Sequence, residues 1–248
     1  MLIALRLLRA ALCLVLFLAL AWLWRLLPDG FAKRRWLASH CWGLLLRGFQ
    51  VRVQVHGVPL AEPKVLSICN HISWLDIAVM GHVLDAGFIA KAEVSDWPVL
   101  GALARRGGCL FVERSRRQDV KAQAAQVEAR LALSSGLILF PEGTTGSGIG
   151  LLPFRSSLFP EGVEYQVQPV SLIYKTADGR ALASLDDAHL RRIAWLDDDG
   201  LLNHVIEFAK LGGVRLDVWF EAPFAPSNRK QAAHHGRAVI ERRLCGTA

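Results

Sequence analysis

A run of apolar residues at the N-terminus sets the first constraint on the fold. Residues 1–30 contain 24 hydrophobic residues, and the 15 from Ala10 to Trp24 are uncharged, bracketed by Arg9 and Arg25. Such a segment has to be buried against protein or placed in lipid, because it offers water no polar face. As a helix the uncharged stretch is about 22 Å long, short of a hydrocarbon core of roughly 30 Å. A span therefore requires snorkelling arginines and Leu26–Leu27. A second stretch, Phe31 to Phe49, sets Lys33, Arg34 and Arg35 beside Trp36, Trp42 and Leu44–Leu46. Tryptophan favours the headgroup level and basic side chains favour anionic lipid, so residues 1–50 read as a pair of membrane-anchoring helices. Two other readings use the same residues. One is a secretory signal, with Arg6/Arg9 as its basic region and Ala19-Leu20-Ala21 as its cleavage site. The other is a helix buried in an oligomer interface. Tryptophan, arginine and another apolar-basic helix follow at once, which speaks against the signal. The basic residues directly after the apolar run put the rest of the chain on the cytoplasmic face of the cell membrane.

Composition supports this division. The 248 residues are 52% hydrophobic, with mean hydropathy +0.30 and formal net charge +7. Without residues 1–30 the hydrophobic share falls to about 48%, an ordinary globular value. Residues 1–52 hold eight Lys/Arg against Asp29 alone, and the remainder holds 21 basic and 21 acidic residues. A balanced domain argues against nucleic acid as partner. The five cysteines (Cys13, Cys41, Cys69, Cys109, Cys245) show no CxxC spacing, so no disulfide framework or metal site is legible. A reducing compartment follows.

From residue 51 onward the pattern is α/β. Val51–Val55 alternates with period two, as does Arg215–Phe220, and short apolar runs occur at Val65–Cys69, Gly87–Ala90, Cys109–Val112, Leu137–Phe140 and Val167–Tyr174. Helical spacing connects Val120, Ala124, Val127 and Leu131 behind Ser115 as N-cap, and a last helix is predicted from near Ser227 to Leu244. Strands separated by helices predict a mixed, mostly parallel sheet flanked by helices over residues 51–248. Asp197–Gly200 reads as a solvated turn.

Four segments carry chemistry. In Asn70-His71-Ile72-Ser73-Trp74-Leu75-Asp76 a histidine follows a buried strand, where it can act as a general base partnered by a carboxylate. Ser73-x-x-Asp76 is equally a capping-box pattern, and the two readings are compatible. If His71 sits in the loop and a helix begins near Ser73, Asp76 can fold back toward it. Gly108-Cys109-Leu110-Phe111-Val112-Glu113-Arg114, followed by Arg116 and Arg117, offers guanidinium groups at a strand end, either to grip an anion or as a solvated basic loop. Phe140-Pro141-Glu142-Gly143-Thr144 ends a strand in a carboxylate and a Gly/Thr-rich loop. It is not a phosphate-binding P-loop, because Ile149-Gly150 stand where Lys-Ser/Thr are needed. Neither GxGxxG nor GxSxG occurs. Val167-Gln168-Pro169-Val170 carries an internal proline, which predicts an edge strand or the rim of a site.

In their order and spacing, NHxxxxD, GxxFxxR, FPEGT and VxPV over residues 65–175 resemble the lysophospholipid acyltransferase family, of the 1-acylglycerol-3-phosphate acyltransferase type. The resemblance implies a glycerolipid acyltransferase-like fold and transfer of a fatty acyl chain from acyl-CoA or acyl carrier protein to a lysolipid hydroxyl, without cofactor or metal. It implies His71 as base and Asp76 as its orienting partner. Asn70, Arg114, Glu142, Gly143 and Thr144 match the substrate-binding positions, and Arg155 and Pro169 are accessory. Phosphate-accepting members often have arginine after FPEGT; Thr145 stands there instead. The FPEGTT form, with Leu152-Pro153-Phe154-Arg155-Ser156 downstream, also resembles lyso-ornithine lipid acyltransferases. The implied acceptor is 1-acylglycerol-3-phosphate first and lyso-ornithine lipid second, with membrane lipids as surroundings. A non-catalytic lipid-binding or membrane-shaping protein and a hydrolase are the readings outside acyl transfer. His189, Arg191, Arg192, His204, His234 and His235 are expected at the surface.

Overall fold

The apolar runs resolve into one seven-stranded sheet in a computed structural model. It describes residues 1–27, 34–96, 100–106, 108–112, 120–133, 136–160, 164–196 and 199–246. The strands are β1 (Val51–His56), β2 (Val65–Cys69), β3 (Gly87–Lys91), β4 (Leu110–Val112), β5 (Leu137–Leu139), β6 (Gln166–Thr176) and β7 (Val214–Phe220). Their order is β1-β7-β6-β2-β5-β3-β4. Every neighbouring pair is parallel except β6 and β7. The mixed, mostly parallel sheet expected from the sequence is thus present.

Parallel inner strands must be apolar on both faces, and β5 shows why a bare Leu-Ile-Leu suffices. Leu137 and Leu139 enter one core with Val127 and Leu131 of α5 (Val120–Leu133) and Ala232 and Ile240 of α8 (Arg229–Cys245). Ile138 points the other way, into a core shared by α2 (Arg34–Gly48), α3 (Leu75–Val83), α6 (Asp187–Ile193) and α7 (Leu201–Leu211). The short α4 (Leu100–Arg106) precedes β4. The N-cap of α8 is Asn228, whose side chain accepts from the Lys230 and Gln231 amides. Ser115, expected to cap α5, lies outside the described residues, as do Asp197 and Asp198.

The N-terminal helix α1 (Leu2–Leu26) is longer than its uncharged stretch, about 37 Å at 1.5 Å per residue. By length and composition it can cross a membrane. Ala10 and Phe17 lie in the same core as Leu45, Leu46 and Phe49, and Phe17 packs on Trp42 at 5.1 Å between ring centroids. The opposite side exposes Leu2, Leu5, Leu8, Leu12, Val15 and Trp22. Arg9, expected to snorkel, binds protein instead, and so does Arg6. Arg6 donates to the carbonyl of Lys210 (2.9 Å) in the last turn of α7, and Arg9 donates to that of Gly48 (3.2 Å), the last residue of α2. Carbonyls in the last turn of a helix lack intrahelical partners and carry the negative end of its dipole, so a guanidinium is the complementary group.

Pro169 is not on an edge strand: β6 lies between β7 and β2. Its carbonyl accepts from Glu221 on the β7 side (3.0 Å), so its missing N–H faces that side too. There the regular ladder ends at Val170↔Phe220 and pairing resumes only at Val167↔Phe224. The proline occupies the break, where no donor is required.

Close packing of α8 on the sheet depends on Gly236, where a Cβ would fall 2.1 Å from Ile68 Cδ1. Gly236→Val is expected to lower stability by about 1–3 kcal/mol, measured as the shift in urea unfolding midpoint. An unchanged midpoint would contradict this packing.

Candidate active site

The chain leaves β2 at Cys69 and enters α3 at Leu75, and the five residues between form the centre of the site. Asn70 continues the β2–β6 ladder with its side chain. Its amide nitrogen donates to the Leu172 carbonyl (2.9 Å) and its oxygen accepts from the Leu172 amide (2.7 Å). With 1% of its surface exposed, Asn70 is a brace that aims the next residue.

His71 is held on both sides of its peptide. Its N–H donates to Glu142 Oε1 (2.8 Å) and its carbonyl accepts from the Gly146 amide (2.7 Å). Its ring stacks on Phe140 at 4.2 Å and 19° between planes, and Nδ1 lies 2.8 Å from Asp76 Oδ2. Asp76 is ionic in this setting only if its charge is satisfied, because none of its surface reaches solvent. Oδ2 also accepts from the amides of Ile72 (2.6 Å) and Ser73 (2.9 Å), and Oδ1 accepts from the Tyr174 hydroxyl (2.6 Å). Both readings of Ser73-x-x-Asp76 are therefore realised in part. The carboxylate binds the amides before α3 and also the imidazole. The Ser73 hydroxyl is buried without a partner among the described residues and does not bond the Asp76 amide, so the reciprocal half of the box is not made. A carboxylate at Nδ1 fixes the proton there and leaves Nε2 with its lone pair.

Glu142 joins two loops. Its second oxygen accepts from the Leu152 amide (2.8 Å), and only 3% of its surface is exposed. Burial raises its pKa, opposed by the two backbone donors from His71 and Leu152. Gly143 turns the chain at φ +76°, in the left-handed region that favours glycine. Thr144 is exposed beside it, and the Arg155 side chain is exposed while its amide holds the Pro141 carbonyl (2.9 Å). Arg114 lies outside the described residues, as do Glu113, Arg116 and Arg117.

Three contributors had no signal in the motifs. Tyr174 closes the fourth bond to Asp76, and burial, then the neighbouring carboxylate, push its phenol pKa well up. A tyrosine ending an inner-strand run needs a polar partner, which was the available clue. Trp195 clamps both loops through its backbone: its amide donates to Ile72 (2.9 Å), and its carbonyl accepts from the Thr145 hydroxyl. His204, expected at the surface, is 4% exposed and accepts at Nδ1 from Trp74 Nε1 (3.1 Å). The helical spacing of Leu201, His204 and Phe208 turns it inward on α7, whereas His234 and His235 stay exposed.

Burial depresses the His204 pKa below its ordinary value. A histidine held neutral contributes stability above its unfolded pKa of about 6.5, and that contribution is lost as pH falls through the lower folded value. His204→Asn keeps an acceptor for Trp74 and removes the titration. Below pH ~6.5 the wild type should lose stability faster than this variant, by up to about 1.4 kcal/mol per pH unit, in paired thermal melts. Parallel curves would contradict the assignment.

Comparison with known proteins places this geometry. The Acyltransferase family model matches residues 52–174. A lyso-ornithine lipid O-acyltransferase of Rhizobium meliloti (strain 1021) is 36% identical over 197 residues, covering 75% of this chain and 66% of that protein. One of Brucella abortus (strain 2308) is 32% identical over 237 residues, 89% of this chain and 86% of its own. A 1-acyl-sn-glycerol-3-phosphate acyltransferase of Neisseria gonorrhoeae is 38% identical over 135 residues, 53% of each chain. The crystal structure of the 1-acyl-sn-glycerophosphate acyltransferase PlsC from Thermotoga maritima superposes with a TM-score of 0.66 at 17% identity. The superposition covers 98% of this chain and 95% of that one.

Proposed function

The chain belongs to the acyltransferase family, of the lysophospholipid type, and from that premise we propose that His71 and Asp76 carry O-acyl transfer from an acyl thioester to a lysolipid hydroxyl. The observation that supports this most is the 2.8 Å contact of Asp76 Oδ2 with His71 Nδ1. Nε2 takes the acceptor's hydroxyl proton as the oxygen attacks the thioester carbonyl. The C–O bond forms, the C–S bond breaks, and the departing thiolate takes the proton back from Nε2. Asp76 stabilises the imidazolium between the two steps. Asn70 and Glu142 position this loop rather than touch substrate, since their polar atoms are committed to Leu172, His71 and Leu152. The donor is acyl-CoA or acyl carrier protein.

For the acceptor, Thr145 weighs toward lyso-ornithine lipid. Its hydroxyl is engaged by the Trp195 carbonyl, so this position presents no charge to a phosphomonoester. An ornithine headgroup is zwitterionic, its ammonium offsetting its carboxylate, so it needs an arginine there less than a phosphomonoester does. The Rhizobium and Brucella relatives, aligned over 75% and 89% of this chain, are lyso-ornithine lipid O-acyltransferases. Acylation of 1-acylglycerol-3-phosphate is the second reading, supported by the Neisseria relative. The apolar outer side of α1 seats the enzyme at a membrane, and the basic residues after it favour the cytoplasmic face.

His71→Ala is expected to lower kcat by on the order of 10³-fold with an unchanged unfolding midpoint. Wild-type turnover in that variant would remove His71 as the base. In a panel of lysolipids with one labelled donor, lyso-ornithine lipid is expected to give the highest kcat/KM. Strict dependence on a phosphomonoester headgroup would overturn that order.

A further inference from the structure

A second cluster of cations lies away from His71, where the anchor helices meet the sheet. Here a cavity of about 320 Å³ is lined by Arg9, Arg47, Gln50, Arg52, Ala177 and Gly212, among other residues. Its position follows from the register. Cys69 pairs with Val170, which puts His71 level with Leu172, and Ala177 lies roughly 17 Å further along that strand direction. The cleft and the histidine therefore share one edge of the sheet but are separate places.

Among the described lining residues three are arginines and none is acidic. The carboxylates nearby in sequence are engaged elsewhere: Asp178 by Arg180 and Thr176, Glu207 by Lys210 and Arg192. Arg9 spends Nε on Gly48, and its Nη2 is buried with no hydrogen-bond partner among the described residues. A buried guanidinium N–H without an acceptor costs free energy, which an anionic oxygen would recover. Arg6 adds a fourth cation behind the wall, since its guanidinium sits 2.7 Å from where a Gly212 Cβ would be. Gly212 is left-handed at φ +88°, and its lack of a side chain lets that guanidinium approach. Arg52 and Arg215 are also direct register partners on β1 and β7, a like-charge pair that an anion would relieve.

We propose that this cleft binds a phosphate group through Arg9, Arg47 and Arg52. The carrier that the fold favours is a phospholipid headgroup. Arg9 belongs to α1 and sits at the border of its exposed apolar face, with Leu5 one turn before it, Leu12 one turn after it and Leu8 beyond them, all open to acyl chains. The choice of carrier rests on the membrane seating of α1; the phosphate chemistry does not.

The test uses the full chain and the variant Arg47→Gln/Arg52→Gln, both exposed positions outside the catalytic loop. Lys230→Gln/Arg242→Gln on α8 serves as a control of equal net charge. Flotation with phosphatidylcholine vesicles, with and without phosphatidic acid, reads the anionic excess in binding. The cleft variant is expected to lose about 10- to 30-fold of that excess, while the control stays close to wild type. In a second arm, inorganic phosphate is titrated against the unfolding midpoint. Protection of wild type and control but not of the cleft variant, with equal vesicle binding by all three, supports the site and assigns it to soluble phosphate. If neither arm separates the cleft variant from the control, the proposal is overturned. Acyl transfer in detergent micelles, expected to be equal in all three proteins, reads the His71 chemistry separately.

Discussion

A carboxylate with no exposed surface is unstable unless every lone pair is occupied, and Asp76 organises its surroundings to meet that demand. Two backbone amides, a phenol and an imidazole converge on it from β6 and from the loop between β2 and α3. Removing any one donor leaves a buried charge undersatisfied, at a cost of about 1–3 kcal/mol. The loop therefore has one stable geometry, and His71 inherits it. The imidazole is positioned by the requirements of its neighbour more than by contacts of its own.

The surrounding bonds extend this rigidity outward. Glu142 ties the loop to the segment after β5, Gly146 closes the same connection from the other side, and Trp195 spans both. Because these are mostly backbone groups, they transmit position without constraining side-chain identity. The His71 loop is thereby held in shape while Thr144 and Arg155 stay exposed beside it. On the same edge of the sheet, α1 and α2 join the core that supports α3. The apolar N-terminal helix and the helix that follows the His71 loop thus share one packed core, with Arg6 and Arg9 fastening α1 to the ends of α7 and α2.

Much of the fold was legible because its causes are local. All seven strands follow from period-two alternation or short apolar runs, and Asn228, one residue past the expected start, caps α8. The His71–Asp76 approach was readable as a possibility of spacing, since it needs only a loop and a helix start. The partners of Tyr174, Trp195 and His204 were not: strand position and helical spacing hint that Tyr174 and His204 point inward, but each bond is made across 98 or more residues, or through backbone atoms, which a single sequence does not pair. Pro169 misled for a related reason. Its tolerance inside the sheet depends on where β7 departs, a fact of pairing that the strand itself does not encode. Arg9 was expected to snorkel because the helix end it binds lies 39 positions away.

If Asp76 sets the tautomer of His71, the neutral ring keeps its proton on Nδ1 and its lone pair on Nε2. Nitrogen-15 NMR of histidine-labelled protein, with His71 assigned by substitution, reads this directly. The expected result is a protonated, pyrrole-like Nδ1 and a pyridine-like Nε2 in the neutral ring, with that preference lost in Asp76→Ala. A neutral His71 protonated at Nε2, or a tautomer indifferent to Asp76, would contradict it.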